Sequence, residues 1–186
     1  DKMKLIELCL TMAYDAKVNF VDVLGTVRYW DILIYNHLRE KNLVIPQKRE
    51  HKKVDKFEGA YVKDPIIGMH NWVMSFDLNS LYPHIIMQYN ISPETLVNGE
   101  DKVKKGMVDK ILNGKHERNN QYCMTPNGAF FRKDKRGFLP ELMETMYNDR
   151  TKYKRLMLEA KQEYENTKDP KLVKDISRYN NIQMAK

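Results

Sequence analysis

The stretch "PELMETMYNDRTKYKRLMLEAKQEYEN", residues 140–166, constrains the fold of this chain more than any other. Leu142, Met146, Tyr153, Met157, Ala160 and Tyr164 recur at helical spacing and form one apolar stripe. Pro140 opens the helix, where its missing N–H costs nothing. "TKDP" then breaks the pattern, and a second helix is expected from about Lys171 to the chain end. A turn that short requires the two helices to lie antiparallel. The 42% apolar and 31% charged residues exclude a disordered or membrane-like chain. Runs such as "DILIY" and "HIIM" are far too short to span a bilayer.

Upstream, "KLIELCLTMAYDA" carries Leu5, Cys9, Met12 and Ala13 at helical spacing, and "TVRYWDILIYNHLREKN" carries Trp30, Ile34 and Leu38. Pro46 and "QKREHKKVDK" read as an exposed connection. From 57 to 78 strands are expected, punctuated by Gly59, Pro65 and Gly68. Pro83 lies near the start of a helix in "LYPHIIMQYN", which Asn90 and "SPET" end. "YCMTPNGAFFRKDKRGF" reads as strand, turn at Pro126–Gly128, strand, and turn at Gly137. Residues 101–119 are polar and without clear periodicity, and there is no internal repeat or low-complexity tract.

The charge is uneven. Residues 1–100 carry 12 Lys/Arg against 13 Asp/Glu, and residues 101–186 carry 20 against 12, so the net +7 resides in the second part. That asymmetry suggests a polyanionic partner, nucleic acid or nucleotide phosphate, although lysine-rich surfaces also serve solubility. "DKMKLIELCL" has charges throughout and is no signal peptide. The absence of methionine at position 1 hints at a cut-out piece. Cys9 and Cys123 form no metal-spaced cluster and read as structural thiols of a reduced, intracellular protein.

Asp77 is the single acid of "SFDLNSLYPHII". Trp72, Met74, Phe76 and Leu78 alternate with Val73, Ser75 and Asp77, so the pattern predicts a half-buried strand with a carboxylate near its end. A carboxylate beside a free backbone carbonyl suits a hard divalent cation. The amides of Ser80, Leu81 and Tyr82, where the next helix starts, suit an anion. The alternative is that Asp77 caps that helix. Arg150 and Lys154, four apart, share one helix face with Lys161, and together suit a triphosphate. The alternative there is a solvated face balanced by Glu141, Glu144 and Asp149. In "KFEGAYV", Gly59 and Ala60 would let another backbone approach closely, or simply bend a loop. Of the eleven tyrosines some are placed to stack on bases, but most read as packing. The five histidines (His37, His51, His70, His84, His116) lack ligand spacing and read as incidental.

"DLNSLYPHII" resembles motif A of the family B DNA polymerases, D-x-x-S-L-Y-P-S-I-I, with His84 in place of the usual serine. "YWDILIYNHLREKNLVIP", "GAYVKDP", "QYNISPETL", "TPNGAFF", "RGFLPEL", the Arg150–Lys154 spacing and "NNIQMAK" extend the resemblance along nearly the whole chain, in the form found in T-even-type bacteriophages. The resemblance implies an α/β (α+β) fold: a partial palm of antiparallel strands with flanking helices, plus a helical-hairpin fingers element. Residues 1–48 would be a helical segment of the N-terminal domain, 49–136 the first part of the palm, and 137–186 the fingers, cut just before motif B.

It further implies template-directed nucleotidyl transfer from a dNTP to a primer 3′-hydroxyl, with two Mg2+ ions. Asp77 would be a catalytic metal ligand and Leu78 would lend its carbonyl. Ser80, Leu81, Tyr82, Arg150 and Lys154 would bind the dNTP, with the Tyr82 ring excluding ribonucleotides. Phe57, Gly59 and Ala60 would contact the template strand, with Phe57 where the family has tyrosine. The implied partners are primer–template DNA, dNTPs, the remainder of the polymerase and a sliding clamp, in the cytoplasm of a phage-infected bacterium. The second catalytic acid (in Y-G-D-T-D-S), motif B, the thumb and the exonuclease acids do not occur here. The chain alone is therefore expected to be inactive. The alternatives are one subunit of a split polymerase and a non-catalytic DNA- or nucleotide-binding module.

Overall fold

The computed structural model describes residues 5–45, 62–97, 110, 113–115, 120–126 and 128–186. Helix α1 (Leu5–Ala16) leads through a 3-10 turn (Phe20–Leu24) into α2 (Thr26–Glu40). Helix α3 (Leu81–Tyr89) precedes a hairpin of β1 (Tyr122–Met124) and β2 (Phe130–Arg132), and α4 (Phe138–Thr167) and α5 (Pro170–Ala185) form the expected helical hairpin. Mixed helix with a small antiparallel sheet is the α+β class anticipated from the sequence.

The first two helices are joined by local chemistry. Lys17 takes a left-handed conformation after α1, and Val18 N–H returns to the Ala13 carbonyl at 3.0 Å, closing the helix end. Asn36 of α2 donates to the Ala16 carbonyl at 2.8 Å, satisfying another terminal acceptor. Ala16, Val23 and Tyr29 are buried among Cys9, Met12, Ala13, Val18, Trp30 and Leu33. Both thiols are free.

This N-terminal pair rests on the hairpin. Helix α1 packs along α5, with Asn181 donating to Glu7 at 3.2 Å. The Lys186 ammonium lies 2.7 Å from Asp15 of α1 and 3.4 Å from Asp149 of α4. Burial pulls that ammonium's pKa down, but the bonds to and charges of the two aspartates outweigh it and hold it above the ordinary lysine value. Lys41, just past α2, pairs with Glu141 in the first turn of α4. The turn between α4 and α5 follows the sequence: Lys168 is left-handed, Asp169 caps α5 by accepting from Lys171 N–H at 2.9 Å, and Pro170 opens it.

The hairpin pairs Tyr122 with Arg132, Cys123 with Phe131 and Met124 with Phe130. Leu96 bridges to Phe131 on the other edge, with Val97 N–H bonded to the Phe130 carbonyl and Arg132 N–H to the Thr95 carbonyl. The segment after α3 therefore becomes a third, short partner of the sheet.

Two expectations are corrected. The described part of the 57–78 stretch, residues 62–78, forms no strand. Nor is it half-buried: Trp72 is 99% exposed and Phe76 83%. Alternation supplies a face but not a neighbour, and no described residue pairs its backbone with this segment. The left-handed backbone of Trp72 (φ 59°) also interrupts the extended geometry that a strand needs. Residues 57–61, with Phe57, Gly59 and Ala60, lie outside the described residues, as do Pro46 and "QKREHKKVDK".

Among the described glycines, the closest approach is at Gly137, just before α4. A Cβ there would lie 2.5 Å from Ser92 Cβ and 3.2 Å from Thr95 Cγ2. Ser92 is 2% exposed and Thr95 1%, so neither has room to give. The backbone of Gly137 is ordinary (φ −75°), so the requirement is for space. Gly137→Ala is expected to destabilise the chain by about 1–3 kcal/mol through overpacking, read as a lower urea midpoint. An unchanged midpoint would show that this junction is not close-packed.

Candidate functional site

The site is built where α3 and α4 meet. Gly137, before the first turn of α4, donates its N–H to Asn90, immediately after the last turn of α3. Arg136 donates to the Met87 carbonyl of α3 at 2.9 Å. Nine residues into α4, the Tyr147 ring meets the His84 ring edge-to-face, with centroids 4.8 Å apart. As α4 advances from 138 to 147, its neighbours on α3 retreat from 90 to 84, so the helices run antiparallel.

That direction decides what comes next. Arg150 and Lys154 stand three and seven residues after Tyr147, on the same helix face. Three residues span ~4.5 Å of helix, and Leu81 stands three residues before His84, so beyond Tyr147 α4 advances in the direction of the start of α3. Lys154 lies about one turn, ~6 Å, beyond Arg150. The two cations therefore stand on the stretch of α4 that continues past the His84–Tyr147 contact in the direction of the amino-terminal end of α3.

That end is uncapped. Ser80, the N-cap residue, has a left-handed backbone (φ 53°) and makes no side-chain cap bond; its hydroxyl reaches Asn79 at 3.3 Å. The amides of Leu81 and Tyr82 have no intrahelical acceptor by helix geometry, and Pro83 carries no N–H. The Ser80 carbonyl is taken by His84, through N–H at 3.2 Å and Nδ1 at 2.9 Å. Among the described residues no side chain caps these N–H groups, and the positive end of the helix dipole lies with them.

Of the alternative for α4, the solvated face is present, but the acids named to balance it pair with other cations. Glu141 pairs with Lys41, Glu144 with Arg136 at 3.0 Å, and Asp149 with Lys186. The hydrogen bond from Lys41 holds the Glu141 carboxyl below its usual range despite some desolvation. Arg150, Lys154 and Lys161 are exposed, and none pairs with an acid among the described residues. The acids expected to neutralise this face are engaged elsewhere.

Asp77 lies in the exposed segment three residues before Ser80 and does not cap α3. Leu78 beside it is 68% exposed and the Tyr82 side chain 74%. Ser80 is half-buried and Leu81 41% exposed. No group of three or more His, Cys, Asp or Glu able to hold a metal occurs among the described residues. The Asp77 carboxylate and the backbone carbonyl of Leu78 are hard oxygen donors of the kind a divalent cation takes.

Sequence reasoning read His84 as incidental and Asn90 only as the end of a helix, which it is. His84 is not incidental: it both closes the first turn of α3 and docks α3 on α4. Asn90 is the hub of the junction, and its signal was an Asn–x–Ser–Pro–Glu run at a helix end, the composition of side-chain-to-backbone capping.

The arrangement has relatives. A solved structure of the family B DNA polymerase from the hyperthermophilic archaeon Pyrobaculum calidifontis matches 98% of this chain with a TM-score of 0.60. It is 21% identical, and this chain covers 22% of it, so the match speaks for the fold. The sequence profile of DNA polymerase family B matches residues 27–171, and the chain belongs to that family. It is 40% identical over 169 residues to the DNA-directed DNA polymerase of Escherichia phage RB69 and 37% identical over 158 residues to that of Enterobacteria phage T4. Those matches take in 90% and 84% of this chain but only 18% and 17% of the two phage proteins. Among the described residues, no helix is long and apolar enough to cross a membrane.

His84→Ala removes the ring contact and the bond to the Ser80 carbonyl together. It is expected to destabilise the chain by about 1–2 kcal/mol in urea unfolding. An unchanged midpoint would remove His84 from the docking of α3 on α4.

Proposed function

We propose that this chain is a segment of a replicative DNA-directed DNA polymerase, supplying the dNTP-binding helix pair and one metal-holding carboxylate for template-directed nucleotidyl transfer to a primer 3′-hydroxyl. The observation that supports the reading is the docking of α3 on α4 through His84 and Tyr147, with Arg150 and Lys154 following on the Tyr147 face, unpaired with any acid among the described residues, and with no side-chain cap from Ser80 at the start of α3. The Arg150 fork, the Lys154 point charge and the helix-start amides are groups that suit the oxygens of a triphosphate. The Tyr82 ring stands free at the same end, where a bulky ring can reject a 2′-hydroxyl.

Asp77 and the Leu78 carbonyl would hold Mg2+ as two of its six oxygen ligands. When bound, such ions lower the cost of deprotonating the attacking hydroxyl and neutralise charge on the leaving pyrophosphate. The chain's own residues position and neutralise: Arg150 and Lys154 hold the β- and γ-phosphates, and the Ser80–Tyr82 backbone orients them. The reaction requires the remainder of a polymerase, since the phage relatives are more than five times as long as the matched part. Primer–template DNA, a sliding clamp and template contacts by Phe57, Gly59 and Ala60 belong to this reading on sequence resemblance. A non-catalytic binding module would have no use for Asp77, which is present and free.

Metal-dependent triphosphate binding tests the reading. Calorimetry of the chain with dNTP and Mg2+ is expected to show affinity that falls roughly 10- to 100-fold in Arg150→Ala, the worth of one charge-assisted contact. In Asp77→Ala the Mg2+ dependence is expected to disappear. Unchanged binding in both variants would reject the site.

A further inference from the structure

We propose that Asn90 is a positioning residue: its side chain fixes the crossing of α3 and α4 and so holds the amino-terminal amides of α3 level with Arg150 and Lys154. The inference rests on the triphosphate reading above for its consequence, but not for its geometry.

Asn90 is 6% exposed, and its side chain is fully used. Nδ2 donates to the Arg132 carbonyl at 2.6 Å and the Lys135 carbonyl at 2.8 Å, while Oδ1 accepts from Gly137 N–H at 2.9 Å. An amide group alone offers two donors and an acceptor in that fork. Its own carbonyl accepts from the Thr95 hydroxyl at 2.6 Å. Its left-handed backbone (φ 56°) ends α3, with its N–H returned to the Ile86 carbonyl. One side chain therefore clasps the end of β2, the following loop and the start of α4 against the end of α3.

Its neighbours complete the clasp. Glu94 accepts from Phe138 N–H at 2.6 Å, and Ser92 Oγ accepts from Leu139 N–H at 3.5 Å, filling orphan donors of the first turn of α4. From Gly137 to Arg150 the helix runs roughly 20 Å. A 10° swing at the clasp would thus displace Arg150 by roughly 3 Å, the whole length of a hydrogen bond. The His84–Tyr147 contact lies between, but it is one ring edge against one ring face and fixes no angle by itself.

The test uses the full chain. Asn90→Gly keeps the left-handed backbone and removes all three side-chain bonds; Asn90→Asp keeps the acceptor for Gly137 N–H and turns an acceptor toward two carbonyls. Nitroxides at Gln88→Cys on α3 and Lys152→Cys on α4, in a chain carrying Cys9→Ala and Cys123→Ser, report the inter-helix distance by pulsed electron resonance. Mg·dNTP affinity is measured on the same proteins, and Val23→Ala, in the α1–α2 core, controls for lost stability alone.

Both Asn90 variants are expected to broaden the distance distribution and to weaken Mg·dNTP binding about tenfold or more, as misplaced contacts do. Val23→Ala is expected to lower the melting temperature while leaving both unchanged. If the Asn90 variants lose only stability, as Val23→Ala does, the positioning role is overturned. If the unmodified chain binds no triphosphate, the nucleotide reading fails by itself. The distance arm then decides: broadening upholds the fixed crossing, and an unchanged distribution overturns it.

Discussion

The junction between α3 and α4 is held by polar groups in a place where hydrophobic packing would be the default. Ser92 and Thr95 are among the most completely buried side chains described, and Asn90 is buried with them. An unpaired polar atom at such a depth costs about 1–3 kcal/mol, so this arrangement is stable only in the geometry that satisfies every partner. Apolar contacts tolerate sliding and rotation, whereas directional bonds do not. The crossing of the two helices, and with it the position of everything further along α4, follows from that difference.

In the proposed function, two segments about seventy residues apart in sequence would supply complementary halves of the site. One offers backbone N–H groups at a helix start and a free carboxylate; the other offers two cations. Neither half is specific by itself. Helix starts are usually capped and cationic faces are usually balanced, but here Ser80 makes no cap bond and Glu141, Glu144 and Asp149 pair elsewhere. The ion pairs of Lys41 and Lys186 engage Glu141 and Asp149 and also tie the N-terminal helices to α4, while Arg136 engages Glu144.

The helical hairpin was legible because its stripe is long, its turn carries Asp and Pro at capping positions, and local rules decide both. Pro83 and the β1–β2 hairpin were legible for the same reason. The region 62–78 was not: its alternating pattern specifies a strand only when a second backbone lies alongside, and sequence periodicity is silent about that neighbour. The candidate residues on α3 and α4 came from motif resemblance and spacing, while their juxtaposition came from the antiparallel packing of the two helices. Asn90 was legible as the end of α3, but its side-chain role and that of His84 escaped because they depend on partners forty-seven and sixty-three positions away. Spacing within a segment carries no trace of such pairs.

The account stands on a triphosphate and its metal lying between the start of α3 and the middle of α4. Paramagnetic broadening tests that most directly: Mn2+ replaces Mg2+ in the presence of dNTP, and the amide resonances of the whole chain are followed. The account predicts broadening confined to the region of Asp77–Tyr82 and to the face of α4 around Arg150 and Lys154, lost in Asp77→Ala. Broadening centred elsewhere, or equally strong in Asp77→Ala, would contradict it.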